Sequence, residues 1–193
     1  MSARTLFTSD LHLGHVNVLE YCGRPFHNVE SMNQGLITRW NDQVNDEDTV
    51  YVLGDLAMGR THETIPLARR LAGTKILVRG NHDKATAATY LREGGFSDVV
   101  ATTSVVLTGS SRTLELCHYP FAGDSRDADR FADRRPRDRG QWLLCGHVHG
   151  AWRQRGRAIN VGIDAWGGNL VTEADITGVI AQGPGELEAL PWS

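Results

Sequence analysis

Apolar residues fall along this chain in short bursts, and most bursts end in a glycine or a cluster of polar side chains. Thr5 to Ser9, Thr49 to Leu53, Lys75 to Arg79, Thr113 to Cys117 and Trp142 to Cys145 have the length and β-branched content of buried strands. Val99-Val100, Val105–Leu107, Ala158–Val161 and Gly178–Ala181 are shorter β candidates. The period changes between the first two runs. Val29, Met32, Leu36, Ile37, Trp40 and Val44 lie on one face of an amphipathic helix, with Asn28 placed to cap it. A second helix is expected over Glu63 to Ala72, with Pro66 in its first turn and Gly73 as its stop. A third is expected over residues 84 to 93, ending at Gly94-Gly95. Strands interleaved with helices predict an α/β protein.

Composition narrows this only slightly. A chain of 193 residues with 40% hydrophobic content is long enough for one well-buried core, so residues 1–193 read as a single domain with no repeat or linker. The net charge of −3 removes any global basic field for nucleic acid or an anionic membrane. No apolar run approaches the 18 residues or so of a membrane span, and the N-terminus carries no secretory pattern. Cys22, Cys117 and Cys145 are an odd set with two members inside apolar runs, which suits free thiols in a reducing cytosol. A soluble, cytoplasmic protein with no membrane partner is the expectation.

The chemistry lies where the strands stop. Each of the five main runs ends in O or N donors: Asp10 with His12, Asp55 after Gly54, Asn81 with His82 after Gly80, His118, and His147 with His149 between Gly146 and Gly150. Asp10 and His12 are two apart and would point the same way in an extended chain. Ligand sites in α/β sheets gather outside the carboxyl ends of strands, so these junctions are expected to meet. Any one of them alone is an ordinary surface turn; all five in one order are not. The set holds no thiolate and exceeds what one tetrahedral ion needs. Two divalent ions about 3.5–4 Å apart, sharing one carboxylate, would use it all. Mn²⁺, Fe and Zn²⁺ all suit such a donor set, and Mn²⁺ is the expected occupant.

Asp10-Leu-His12, Gly54-Asp55, Gly80-Asn81-His82-Asp83, His118 and Gly146-His147-Val-His149 together resemble the calcineurin-like metallophosphoesterases over roughly residues 5 to 165. The resemblance implies a four-layer α/β/β/α sandwich of two mixed β-sheets flanked by helices. It implies that Asp10, His12, Asp55 and His149 hold one metal and that Asp55, Asn81, His118 and His147 hold the other, Asp55 bridging. It implies hydrolysis of a phosphoester by attack of a metal-bridging hydroxide, with His82 as general acid or transition-state donor. Asp83 would either hold the His82 ring or cap the next helix. Met58 stands where phosphoprotein-phosphatase branches carry a carboxylate, and Asp83 where they carry glutamate, so that activity is demoted.

Phosphodiesters of nucleotides or related compounds are the expected substrates. A phosphomonoesterase on the same metals, or a catalytically idle metal-stabilised interaction module, are the other readings. His15, Asn17 and Arg24 are candidate phosphate contacts, Arg24 through a guanidinium fork; a loop-stabilising role for His15 and Asn17, and a pairing of Arg24 with a surface acid, are the other readings. The stretch Arg126–Arg139, with six arginines and four aspartates, reads either as a solvated, internally paired loop or as a rim that meets nucleic acid. Asp164 and Asn160 read as structural hydrogen bonders. The natural substrate and oligomeric state are not written in this sequence.

Overall fold

The computed structural model describes residues 3–108, 110–124 and 130–193. Its strands are β1 (Thr5–Thr8), β2 (Thr49–Val52), β3 (Thr74–Val78), β4 (Asp98–Val100), β5 (Thr102–Val106), β6 (Thr113–Cys117), β7 (Leu143–Cys145), β8 (Gln154–Gly156), β9 (Ala158–Asn160), β10 (Val171–Thr172) and β11 (Gly185–Leu187). The helices are α1 (Val18–Tyr21), α2 (Val29–Gln43), α3 (Thr61–Thr64), α4 (Ala87–Gly94) and α5 (Glu173–Gln182), with 3₁₀ turns at Ile65–Arg70 and Ala132–Arg134.

Two mixed sheets result. The first runs β10-β1-β2-β3-β4, parallel except where β10 meets β1. The second runs β11-β8-β9-β7-β6-β5, with β6, β7 and β9 parallel at its centre. Side chains alternate across a strand, and the sequence uses that alternation to build two cores. Leu6, Val50, Val52 and Leu77 face outward from the first sheet onto Met32, Leu36, Ile37 and Trp40 of α2. Phe7, Leu53 and Val78 face the other way, onto Leu114, Leu116, Leu144 and Ile159 of the second sheet. The expected sandwich is therefore present. Its fourth layer is thin: Cys117, Leu143, Cys145 and Ala158 are covered by Tyr119, Val148, Trp152 and the edge of Phe131.

Local rules account for the boundaries. Asn28 caps α2, accepting from the Ser31 amide at 2.8 Å, and the Ser31 hydroxyl answers the Asn28 amide. The helix expected over 63–72 is divided, α3 passing at Ile65 into a tighter 3₁₀ turn, because Pro66 has no N–H to continue an α ladder. The helix expected from 84 begins at Ala87, since Thr86 accepts from the Thr89 amide and caps it there. One β candidate is corrected. Gly178–Ala181 lies within α5, where a Thr172–Asp175 capping box starts a helix that buries Ile176 and Val179 at i, i+3 spacing.

Candidate metal centre

The carboxyl ends of β1, β2, β3, β6 and β7 converge at one end of the sandwich, as their polar termini predict. The convergence needs unusual backbone. Asp10, His12, Asp55, His147 and His149 all adopt left-handed φ, between 50° and 72°, and they are the only non-glycine residues described that do so. Such conformations cost free energy for a residue with a β-carbon and concentrate at functional sites. Asp10 and His12 are thus not extended, as their spacing suggested; the chain corkscrews and still brings Asp10 Oδ1 within 3.9 Å of His12 Nε2. Glycines give the rest of the room. A β-carbon on Gly80 would sit 2.3 Å from Asp55 Oδ1, and one on Gly146 would sit 1.9 Å from Ser9 Oγ.

Asp55 is the centre of the cluster. Its Oδ1 accepts from the His82 amide at 2.9 Å, while Oδ2 faces His12 at 3.6 Å, His118 at 3.7 Å and His82 at 3.9 Å. Ring nitrogens are oriented from behind. His118 Nδ1 donates to the Leu53 carbonyl at 2.7 Å, which turns Nε2 towards Asn81 Oδ1, 3.1 Å away. Asp10 Oδ2 accepts from the His147 amide at 3.0 Å. Among the described residues, Asp10 Oδ1 and both ring nitrogens of His12 are buried without a hydrogen-bond partner. Unpartnered buried polar atoms of that kind, beside the Asp55 carboxylate, are a donor set that a divalent cation would satisfy.

Among the described residues three groups bring their ligand atoms within 4.8 Å of one another: Asp10, His12 and His149; Asp10, Asp55 and His118; and, behind them, Cys22, His149 and Asp164. Charge tells the same story. Burial, with the charges of Asp10 and Asp83, pushes the Asp55 carboxyl up, although His118 opposes it. Burial, and then the charges of His149 and Arg24, pulls His12 well down, so its ring stays neutral and ready to ligate. His147 falls to about 4, chiefly through burial and then through His118. The Asp/His clusters suit divalent cations in donor type, in burial and in their unmet electrostatic demand.

The remaining predicted residues divide. His82 and His15 line a cavity of about 560 Å³ together with His12, Asp55, Asn81, His147 and His149. His15 Nε2 lies 3.0 Å from the Tyr21 hydroxyl at its mouth. Asn17 is exposed beyond that wall, at the start of α1, so the structure does not bring it to the site.

Arg24 is corrected. It is 4% exposed and lies behind the cluster, so it is no phosphate clamp. Its fork pairs with Asp164 at 2.8 and 2.9 Å and donates to the carbonyls of Asp10 and Leu11.

Asp83 is corrected too. Its carboxylate does not hold the His82 ring and does not cap α4. It accepts from the backbone amides of Asp55, Gly80 and Leu56 at 2.8, 2.8 and 3.1 Å, tying the β2 and β3 termini together.

Asp164, read as a structural hydrogen bonder, accepts from Arg24 and lies 3.2 Å from His149 Nδ1. Asn160 bonds the carbonyls of His149 and Trp152.

The structure adds residues that the sequence did not single out. Asp124 Oδ1 comes within 3.3 Å of His147 Nε2 and pairs with Arg130, which lines the cavity. Nothing marked Asp124 among the charges around it, and residues 126–129 of the proposed arginine rim lie outside the described residues. Cys22, Cys117 and Cys145 are free, and Cys22 Sγ approaches His149 Nδ1 at 3.4 Å. No described helix is long and apolar enough to cross a membrane.

The chain is similar to several known proteins. A gene 66 protein of Mycobacterium phage D29 is 34% identical over 180 residues, covering 83% of this chain and 87% of the phage protein. Its counterpart in phage L5 is 33% identical over 193 residues, covering 90% and 92%. A crystal structure of a protein of unknown function from Aquifex aeolicus superposes with a TM-score of 0.72 at 25% identity, over 93% of this chain and all of that one. The model of the calcineurin-like phosphoesterase superfamily domain matches residues 4–173, which span every strand terminus that feeds the Asp/His cluster. The chain belongs to that superfamily and is a metal-dependent phosphoester hydrolase.

Proposed function

We propose that the protein hydrolyses phosphodiester bonds, in nucleotides or related substrates, at a two-cation centre within one domain spanning residues 1–193. Asp10, His12, Asp55 and His149 would hold one ion, and Asp55, Asn81, His118 and His147 the other. Mn²⁺ is the proposed occupant, with Fe or Zn²⁺ as alternatives. The reading is carried by one observation: Asp55 Oδ2 sits among three imidazoles at 3.6–3.9 Å, at the floor of an open cavity. When bound, the cations would neutralise the phosphoryl oxygens and make water nucleophilic at neutral pH.

The chain supplies the rest. The buried ligands fix where the cations would sit at the floor, and so where a phosphoryl group would be held for in-line displacement. His82 stands half-exposed at the wall, its amide anchored on Asp55 and its ring free to meet the departing oxygen. Burial, then the charges of Lys84 and His118, lowers its pKa, and a ring N–H of His82 would donate a hydrogen bond to that oxygen as it departs. His15, at the mouth, would contact a second phosphoryl oxygen or the ester group. The open cavity leaves space for substituents on both sides of phosphorus, which favours diesters over monoesters. The free cysteines fit a reducing cytosol.

Chromogenic mono- and diesters compared with Mn²⁺ present test the reading. Diesters turned over with the higher kcat/KM support it. Exclusive turnover of monoesters would replace it with a phosphomonoesterase. No turnover of either class by a protein with both ions bound would leave a metal-stabilised interaction module.

A further inference from the structure

Arg24 has no access to substrate, yet it is among the most fully engaged side chains near the site. All five of its N–H groups meet acceptors: Asp164 Oδ1 at 2.8 Å, Asp164 Oδ2 at 2.9 Å, the Asp10 carbonyl at 2.6 Å, the Leu11 carbonyl at 2.8 Å and Met32 Sδ at 3.5 Å. Asp164 Oδ2 then lies 3.2 Å from Nδ1 of His149. One buried chain of contacts thus links two stretches more than a hundred residues apart, the Asp10–His12 turn and the His147–His149 turn. A carboxylate held by a guanidinium stays ionised and can only accept, so the imidazole facing it must present N–H on that side.

We infer that Arg24 and Asp164 are a positioning pair that fixes the Nδ1–H tautomer of His149 and leaves its Nε2 lone pair for a cation, while Arg24 clamps the left-handed turn that presents Asp10. Neither residue touches the reacting atoms. Orientation of a ligating histidine by a carboxylate typically changes metal affinity 10–100-fold. A lysine at 24 cannot replace the pair, because a single ammonium cannot reach the carboxylate and both carbonyls in one plane. The sequence offered only Arg24 in Cys22-Gly-Arg-Pro and Asp164 after Asn160-Val-Gly-Ile, with nothing to connect them.

The test has a metal-free arm. Long-range ¹H–¹⁵N correlation on the whole protein after chelation, at a pH where the His149 ring is neutral, reads its tautomer. Nδ1–H is expected, and a dominant Nε2–H form overturns the inference. The second arm titrates Mn²⁺ calorimetrically into wild type, Arg24→Lys and the double variant Arg24→Met/Asp164→Leu. The double variant removes both buried charges at once, so it avoids the uncompensated ion that Asp164→Leu alone would leave. One of two binding steps is expected to weaken by roughly 10–100-fold in both variants, with the other step unchanged. Equal affinities in folded variants and wild type also overturn it. The metal arm rests on the two-cation reading above; a wild type that binds only one ion defeats that reading and leaves the tautomer result standing by itself.

Discussion

Asp83 and His82 are adjacent, yet they do different work. His82 faces the cavity, so His82→Ala is expected to lower turnover by roughly a hundred- to ten-thousand-fold while ion content, measured by plasma mass spectrometry, stays at the wild-type value. Asp83 faces inward onto three backbone amides, so its loss belongs with misfolding. Gly80, just before them, allows no β-carbon, which would lie 2.3 Å from Asp55 Oδ1 and 2.7 Å from the Asp55 amide. Gly80→Ala is expected to cost about 1–3 kcal/mol in urea unfolding and to displace the carboxylate at the centre of the cluster. Residue type and position made the donors legible only jointly: one imidazole or carboxylate beyond an apolar run is an ordinary turn, and five such junctions in one chain are not. Arg24 was misread as a phosphate contact because a guanidinium fork suits phosphate as well as it suits a carboxylate. Its burial depends on Asp164, 140 residues away, which no local pattern reports.

The main strands and α2 were legible because each carries a full period of burial and a stop signal. The tail was not. β8, β10 and β11 are two or three residues long, too short for alternation to register, and they exist through pairing with β9, β1 and β8. In α5 the glycine at 178 obscured a helical spacing that its cap makes plain, and Thr172→Ala is expected to cost about 1 kcal/mol by thermal denaturation.

Arg4 and Asp48 pin the start of β1 to the turn before β2 in a comparable way, through a 2.6 Å ion pair and the amides of Arg4 and Asn45. The Arg4 hydrogen bond, against the opposing effect of burial, holds the Asp48 carboxyl at about 2. A depressed carboxyl stabilises the fold above its unfolded value near 4, and that contribution fades as pH falls towards 2. Arg4 is half-exposed, so solvent screens the pair. Asp48→Asn should therefore cost about 1 kcal/mol at pH 7 and almost nothing at pH 2, as guanidinium unfolding at both values would reveal.

At the scale of the molecule, two sheets bring five strand termini to one end, and the repulsion among the acidic groups there is left for cations to relieve. Chelation is expected to lower the melting temperature, and restoring Mn²⁺ at a hundred times its dissociation constant should return about 3 kcal/mol. A melt insensitive to chelator would remove the cations from the stability of the fold. The left-handed corners at positions 10, 12, 55, 147 and 149 carry an evolutionary consequence. A laboratory selection that rewards heat resistance alone, run without divalent ions, should fill them with glycine or asparagine, the residues for which that backbone comes most easily. The survivors would be sturdier proteins and dead enzymes. Natural sequences that keep acids and imidazoles at these corners are under selection for turnover.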